Sequence, residues 1–218
     1  KTIVSNSGSD LPSGAPAGWP NGYNSFYIGR YEITQGQYAD FLNTVWSSTA
    51  AARHDGYVCC GHNITYTSGN PYGSRYAAVN PNAAKVYLSV FDAWSYMSWA
   101  GLRPLTEMEF EKAGRDLAPD ARTYPWGNTA PGGATYTPPN EGEIHLRNYA
   151  NWTTAGSYKV LAAGRYMSGD VYRTAAETGA SPWGIADLGG SAWELMSNCS
   201  YLNVPANGNG TVNWPANW

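Results

Sequence analysis

Residues 181–198 read Ser-Pro-Trp-Gly-Ile-Ala-Asp-Leu-Gly-Gly-Ser-Ala-Trp-Glu-Leu-Met-Ser-Asn, and the rest of the chain is organised around this stretch. Two acids, Asp187 and Glu194, bracket a Gly-Gly-Ser turn. Adjacent glycines allow backbone geometry that other residues avoid, so carbonyl oxygens can turn inward beside the two carboxylates. An oxygen-rich pocket of that kind suits a hard cation such as calcium. From the spacing alone, a tight turn that carries two solvated acids is the favoured interpretation.

Residues 184–194 resemble the Gly-Leu-Tyr-Asp-Met-x-Gly-Asn-Val-Trp-Glu signature of the formylglycine-generating-enzyme, or sulfatase-modifying-factor, family. Three further segments match in the family's order: Tyr-Glu-Ile-Thr at 31–34 with Tyr38 and Phe41, Ala-Gly-Leu-Arg-Pro-Leu-Thr-Glu-Met-Glu-Phe-Glu at 100–111, and Tyr-Pro-Trp-Gly-Asn at 124–128. Any one segment is a weak signal, whereas four in sequence are specific. The resemblance implies an α+β fold of the C-type-lectin-like kind, loop-rich, with two or three short helices and short antiparallel strands.

The resemblance also implies calcium. One site of the family uses an Asp or Asn side chain, two backbone carbonyls and a Glu side chain. The corresponding positions here are Asp187, Gly190, Ala192 and Glu194. A second site begins at an Asn followed by a carbonyl donor, which corresponds to Asn151 and Trp152, and then needs an Asp. No acid lies between Trp152 and Asp170, so the second site is incomplete in this sequence.

The catalytic chemistry of the family has no counterpart among the cysteines. The family's enzymes hold copper with a pair of cysteines near the C-terminus and oxidise a substrate cysteine to formylglycine. Soft thiolates are what select copper(I). Cys199 follows the signature too early to correspond to that pair, and Cys59 and Cys60 lie far upstream. The resemblance therefore implies a divergent, non-catalytic member with no catalytic residue to carry over and no copper.

Composition narrows the function classes. The chain has a net charge of −3 and no basic cluster, which argues against a nucleic-acid partner. No apolar run approaches the roughly 20 residues that span a bilayer. Charged residues are only 13% of the chain, whereas there are 10 Trp and 17 Tyr, a composition that suits contact surfaces for protein or carbohydrate.

These features predict a non-enzymatic extracellular module for binding or structural assembly, secreted or at the cell surface. Its predicted partners are a protein or carbohydrate at a cell surface, or other copies of itself. The alternative is a copper-dependent, formylglycine-generating-type oxidase whose catalytic C-terminal segment is missing from this chain. The two hypotheses differ in chemistry even though they share a fold, because a fold does not determine a function.

The predicted organisation is an N-terminal arm or loop at 1–24 and a family domain at 25–218 that lacks its C-terminal core segment. Aromatic and β-branched residues predict strands at 26–33, 86–90 and 160–166. Thr34 is expected to cap a helix, and Gly101 to end a second one that starts near Val90. Thr106 and Glu109 have the spacing of a capping box, so a third helix should run to about residue 115.

Residues 47–82 show no sustained hydrophobic period. The segment holds Arg53, His54, Asp55, Cys59, Cys60 and His62. A structural zinc site usually has two cysteines two to four residues apart, so adjacent cysteines favour an irregular, disulfide-tied loop over a metal site. Cys59 could bond to Cys60 directly, or one of them could bridge to Cys199. Downstream, Arg103 is expected to pair with Glu107 or Glu111.

Overall fold

The computed structural model describes residues 25–115, 124–127, 160, 162–164, 178–189, 192 and 194–196. The helices in this part are α1 (Gln35–Thr44), α2 (Ser47–Arg53), α3 (Val90–Trp99) and α4 (Glu107–Arg115). Strands β1 (Ile64–Tyr66) and β2 (Tyr76–Ala78) form an antiparallel pair, with Thr65 opposite Ala77. Short helices mixed with short antiparallel strands are thus confirmed, and the described residues alone hold four helices where two or three were predicted. Within the described ranges, no helix is long and apolar enough to cross a membrane.

Local capping explains where the longer helices begin. Thr34 and Gln37 form a capping box at the start of α1, and Ser89 and Asp92 form one at the start of α3. At α4, Glu109 N donates to Thr106 Oγ1 over 3.2 Å, and Thr106 N donates to the Glu109 carboxylate over 3.0 Å. A side-chain cap stabilises a helix by about 1 kcal/mol, so these starts are specified locally. The helices predicted after Thr34, near Val90 and after Thr106 are confirmed.

The largest core cluster forms where α1 packs against α3 and β2. Tyr38, Phe41 and Leu42 of α1 are each 1% exposed, as the helical spacing of the sequence predicts. The ring of Tyr96 in α3 lies 5.9 Å from that of Tyr38 and 5.8 Å from that of Phe41. Aromatic pairs at such distances stabilise a core beyond the area that they bury.

Two of the predicted strands are wrong, and the third is only partly testable. Residues 26–33 form no strand because their backbone contacts alternate between segments: Ile33 O accepts from Lys85 N, and Arg30 O accepts from Ala186 N. Residues 86–89 are irregular and lead directly into α3. In 160–166, Ala162 forms a single bridge with Ala83, and the remaining residues are in part outside the described ranges.

The segment 47–82 is more regular than its sequence predicts, since it contains α2, β1 and β2. Helix α2, Ser-Ser-Thr-Ala-Ala-Ala-Arg, buries only Ala50, so no apolar period announces it. Each strand is three residues long, which is too short for alternation to be visible. The predicted arm at 1–24 lies outside the described residues, and the predicted domain 25–218 stays a prediction.

Candidate functional site

Three acids lie near one another, two from the stretch 181–198 and one from the segment before α1, and we call Glu32, Asp187 and Glu194 the acid cluster. Glu32 Oε1 accepts a hydrogen bond from Ala192 N over 3.0 Å, which ties the segment before α1 to the stretch that carries Glu194. Asp187 Oδ2 accepts from Gly164 N over 2.5 Å. The charges of Glu32 and Asp187 both act on Glu194. The cluster therefore joins three stretches that are far apart in sequence: the segment before α1, Gly164, and the stretch that carries Asp187 and Glu194.

A compact turn positions Asp187. Ser181 Oγ accepts hydrogen bonds from the backbone N–H groups of Trp183 and Ile185, and Ser181 N donates to Ile185 O over 2.9 Å. Ala186 N then donates to Arg30 O over 2.9 Å. This bond fixes the turn against the segment that contains Glu32, two residues after Arg30. Asp187 has a φ of 63°, a left-handed conformation that Asp adopts more readily than most residues.

Two glycines allow the close approaches that this arrangement needs. Gly164 has a φ of 67°, and a Cβ there would lie 2.2 Å from Cδ1 of the Tyr31 ring. A Cβ on Gly189 would lie 2.7 Å from Cζ3 of Trp126, whose side chain is buried. Only glycine fits at either position without movement of an aromatic ring. These close approaches occur at Gly164, whose N–H donates to Asp187, and two residues after Asp187, at Gly189.

Burial and mutual repulsion change the electrostatics of the acid cluster. Burial raises the pKa of Glu194 to about 8, and the negative charges of Glu32 and Asp187 act in the same direction. Burial also raises the pKa of Asp187, although the N–H of Gly164 opposes this. Carboxylates in such a setting are stabilised by a proton or by a cation that lies among them. The donor set, oxygen only, fits a hard cation such as calcium.

The predicted calcium ligands are in part within the described residues. Asp187, Ala192 and Glu194 lie in one region, whereas Gly190 is outside the described ranges, as are Asn151 and Trp152 of the second site. Within those ranges, no three Asp, Glu, His or Cys side chains are placed to share one metal ion. The expected site has only two carboxylates and two backbone carbonyls, so calcium stays a prediction.

Sequence reasoning did not assign a role to Glu32. Its only signal was its place in the Tyr-Glu-Ile-Thr segment at 31–34, where nothing set it apart from the other residues that match the family. In the structure its Oε2 atom is shielded from solvent, and its Oε1 holds the backbone of Ala192. Glu32 is therefore a positioning residue for the stretch that carries Glu194.

A second group of charges lies in the interior, and we call Asp55, His62 and Lys85 the buried lysine cluster. Lys85 Nζ donates to Asp55 Oδ2 over 2.6 Å and to Val86 O over 2.6 Å. His62 Nδ1–H donates to Tyr57 O, since a carbonyl only accepts, which leaves Nε2 to accept from Lys85 Nζ over 3.0 Å. This pattern is that of a neutral imidazole. Accordingly, burial and then the charge of Lys85 lower the pKa of His62.

The cysteines of the same segment are bonded to each other. Cys59 and Cys60 form a disulfide, so neither bridges to Cys199, which lies outside the described residues. Cys60 and Gly61 both have positive φ values, and Cys59 exchanges two backbone hydrogen bonds with His62, as in a two-residue hairpin turn. In this oxidised form the pair offers no thiolate for copper, so Cys59 and Cys60 do not fit a copper site.

Arg103 pairs with a different acid from those expected. Its two terminal nitrogens bond to the Glu109 carboxylate over 2.7 and 2.5 Å, so the prediction of Glu107 or Glu111 as partner is wrong. Glu109 is the third helical residue, and its carboxylate turns back to the cap at Thr106, where Arg103 is within reach. The interaction links the helix cap to the preceding loop and is structural.

The chain is similar in sequence to three proteins that carry the names of enzymes. The chain is 32% identical over 162 residues to hercynine oxygenase of Mycobacterium tuberculosis. The alignment covers 68% of this chain and 36% of that protein. It is also 32% identical to hercynine oxygenase of Mycolicibacterium thermoresistibile, in an alignment that covers 49% of this chain and 26% of that protein. The match to formylglycine-generating enzyme of Thermomonospora curvata is 32% identical, with 47% and 41% covered. The chain thus spans well under half the length of these relatives.

The prediction of a non-enzymatic, extracellular binding or structural module is wrong, because these relatives are enzymes. Its composition argument failed since a chain rich in Tyr and Trp can use those rings for its core, as α1 and α3 do here. The secreted or cell-surface location and the protein, carbohydrate or self partners stay predictions.

A match to a family model covers more of the chain than the match to any of these three relatives. The family model of the sulfatase-modifying factor enzyme 1-like domain matches residues 15–211, which is most of the chain. All four segments that carry the resemblance lie inside this range, as do the acid cluster and the turn that positions it. The chain therefore belongs to the sulfatase-modifying factor enzyme 1-like domain family.

Proposed function

We propose that the chain is the family domain of an oxidase-type enzyme, which uses molecular oxygen to oxidise an organic substrate. The observation that carries this proposal is the 32% identity to a hercynine oxygenase across 68% of the chain. The match to a formylglycine-generating enzyme supports the same class of chemistry on a different substrate. The two names leave hercynine and a cysteine residue in a polypeptide as substrates to test.

The acid cluster supports the proposal because it ties together segments that are distant in sequence. Asp187 and Glu194, with the carbonyls of Gly190 and Ala192, would hold calcium, which supplies positive charge where burial disfavours the two carboxylates. Glu32 and Gly164 orient the segments that bear these ligands. Their role is to keep loops in place, which a loop-built substrate site requires.

The finer fold that we propose is C-type-lectin-like. In the described residues, isolated β-bridges join distant segments where a continuous sheet could have done so, and this supports the proposal. Ala83 pairs with Ala162 in one bridge, and Leu105 pairs with Met196 in another. Short helices with local caps then fill the space between these loops.

The redox centre that we propose does not use Cys59 and Cys60. Their disulfide offers no thiolate pair, so the oxidase activity would depend on other ligands of the enzyme. No catalytic step is assigned to any described residue. The contribution that we propose for the acid cluster is to orient and support the loops of the site.

Oxygen consumption tests the proposal directly. The protein, as it is encoded in its gene, is incubated with hercynine or with a sulfatase-type cysteine peptide, each with Fe(II), with Cu(I) and without added metal. A thiol is supplied in every reaction. We expect substrate-dependent oxygen uptake and an oxidised product in the mass spectrum for one of the two substrates.

A Cys59→Ser, Cys60→Ser variant is the matched control, since it removes the cysteines while the backbone turn can remain. We expect its oxygen uptake to equal that of the unmodified protein. Absence of substrate-dependent uptake with both substrates and all metals would overturn the oxidase proposal. Loss of uptake in the cysteine variant alone would overturn only the exclusion of that pair.

A further inference from the structure

We propose that a cleft remote in sequence from the acid cluster binds a small organic carboxylate with an aromatic body. The cleft, which we call the tyrosine cleft, lies between α1, α2 and the loop that joins β1 to β2, and has a volume of about 220 Å³. The side chains that define it are Leu42, Ala50, Tyr66, Tyr72, Arg75 and Tyr76. None of them belongs to the acid cluster.

Hydrogen bonds between the elements that form the cleft fix its walls, so the cleft does not need a ligand to form. Asn43 in α1 bonds to Tyr76 twice: its Nδ2 donates to Tyr76 O over 2.8 Å, and its Oδ1 accepts from Tyr76 N over 2.9 Å. On the other side, Tyr72 Oη donates to Val45 O, which anchors the loop to the end of α1. A pocket that exists before binding loses little entropy when it is filled.

The charge of the cleft is positive. Arg75 donates from Nε to Asn70 O over 3.2 Å, and its guanidinium lies 5.8 Å from the centre of the Tyr72 ring. Among the described residues, no carboxylate forms an ion pair with Arg75, and the cleft is lined by no Asp or Glu. The terminal nitrogens of the guanidinium therefore remain available, in the planar arrangement that matches a carboxylate.

The rest of the lining selects the body of the ligand. Tyr66 and Tyr72 are 48% and 56% exposed, and the ring of Tyr66 lies 5.0 Å from that of Tyr76. Aromatic walls favour a flat ring, which can stack or meet them edge to face. A cavity of roughly 150 Å³ holds benzene. A cleft of about 220 Å³ thus accommodates one ring with a carboxylate and is small for a nucleotide or a sugar chain.

Binding of benzoate and phenylacetate to the full chain, measured by calorimetry and ligand-observed NMR, tests the proposal. We expect saturable binding at millimolar concentrations, and at least about tenfold weaker binding of benzyl alcohol, which has the same ring but no charge. Arg75→Met should weaken binding of benzoate about tenfold or more. Ala51→Leu keeps Arg75 but places a larger side chain at an exposed lining position, so it should also weaken binding.

Arg30→Met is the matched control. Arg30 also donates from Nε to a backbone carbonyl, that of Gly184, and its guanidinium also lies over a tyrosine ring, that of Tyr31. We expect this variant to bind benzoate as the unmodified chain does. The proposal is overturned if neither carboxylate binds saturably, if benzyl alcohol binds as tightly as benzoate, or if Arg75→Met retains the affinity while its thermal unfolding is unchanged.

Discussion

Lys85 Nζ lies 2.6 Å from Asp55 Oδ2, and the side chain of Lys85 is only 1% exposed. The ammonium also lies 4.9 Å from the centre of the Tyr38 ring, in the main core. Burial lowers the pKa of Lys85, while the hydrogen bond and the charge of Asp55 raise it. The ion pair thus allows a charged amine to remain where an unpaired one would be strongly disfavoured.

We therefore predict that Asp55→Asn destabilises the protein. Removal of one partner from a buried ion pair costs about 3–5 kcal/mol, and because the Asp55 side chain is 18% exposed we expect somewhat less, about 2–3 kcal/mol. Urea unfolding measures the change. Asp40→Asn, at an exposed acid in α1, serves as the control and should change stability by less than about 0.5 kcal/mol.

A double-mutant cycle separates the pair from the individual side chains. Lys85→Met with Asp55→Asn should be destabilised by less than the sum of the two single variants, because the second change leaves no further charge without a partner. If the two effects add, the 2.6 Å contact contributes nothing to stability, and the interpretation of the cluster as an ion pair is wrong.

The neutral state of His62 leads to a prediction about pH. Its folded-state pKa is lowered from 6.5, so below that pH the unfolded chain binds a proton that the folded protein does not. The free energy of unfolding must then fall as the pH drops through 6.5 towards the folded-state pKa. We expect His62→Gln to lose less stability than the unmodified protein between neutral and mildly acidic pH. Equal losses would mean that the fold does not lower the pKa of His62.

The groups that face His62 do not change the sign of this effect. Lys85 and Asp55 contact its ring directly, Tyr87 lies 5.6 Å away, and His54 adds a smaller contribution that also lowers its pKa. Asp55 opposes the shift but does not reverse it. Other groups titrate in the same range, so the comparison of the variant with the unmodified protein is the measurement that isolates His62.

Of the four helices in the described residues, α1, α3 and α4 could be predicted from sequence because their signals are local, whereas α2 could not. Thr106 and Glu109 are three residues apart, and the hydrogen bonds between them are those that the spacing implies. The same local reading gave Arg103 the wrong partner, since it did not consider that a capping Glu can also accept from an arginine. Local patterns thus located the element but not every contact of its side chains.

The acid cluster and the buried lysine cluster depend on contacts that no local pattern contains. Asp187 and Gly164 are 23 residues apart, and Glu32 and Ala192 are 160 apart. The spacing around the Gly-Gly-Ser turn brought Asp187 and Glu194 forward, but only the resemblance to a family distinguished a site from two solvated acids. Lys85 had no signal at all, because a single lysine between Ala84 and Val86 looks like an exposed residue. Its ammonium lies against the Tyr38 ring of α1 and beside the side chains of Asp55 and His62, all of them distant in sequence.

Calcium should stabilise the protein through the acid cluster. If the folded state alone binds the ion, a hundredfold excess over Kd adds about 2.7 kcal/mol to the free energy of unfolding. Thermal unfolding with calcium and with a chelator measures this difference. We expect Glu194→Gln to abolish it and Asp40→Asn to retain it. An unchanged midpoint in the unmodified protein, with and without the chelator, would remove the site.

The contact of Gly189 with Trp126 leads to the last prediction. A Cβ at residue 189 would lie 2.7 Å from Cζ3 of a ring that is only 5% exposed, so Gly189→Ala should destabilise the protein by about 1–3 kcal/mol. Gly69 is the matched control, because a Cβ there meets no atom within 4 Å, and Gly69→Ala should be neutral or slightly stabilising. Because Gly189 follows Asp187 by two residues, Gly189→Ala should also weaken calcium binding, whereas Gly69→Ala should not. Equal stability of the two variants would show that Trp126 moves freely, and the ring would then not position the acid cluster.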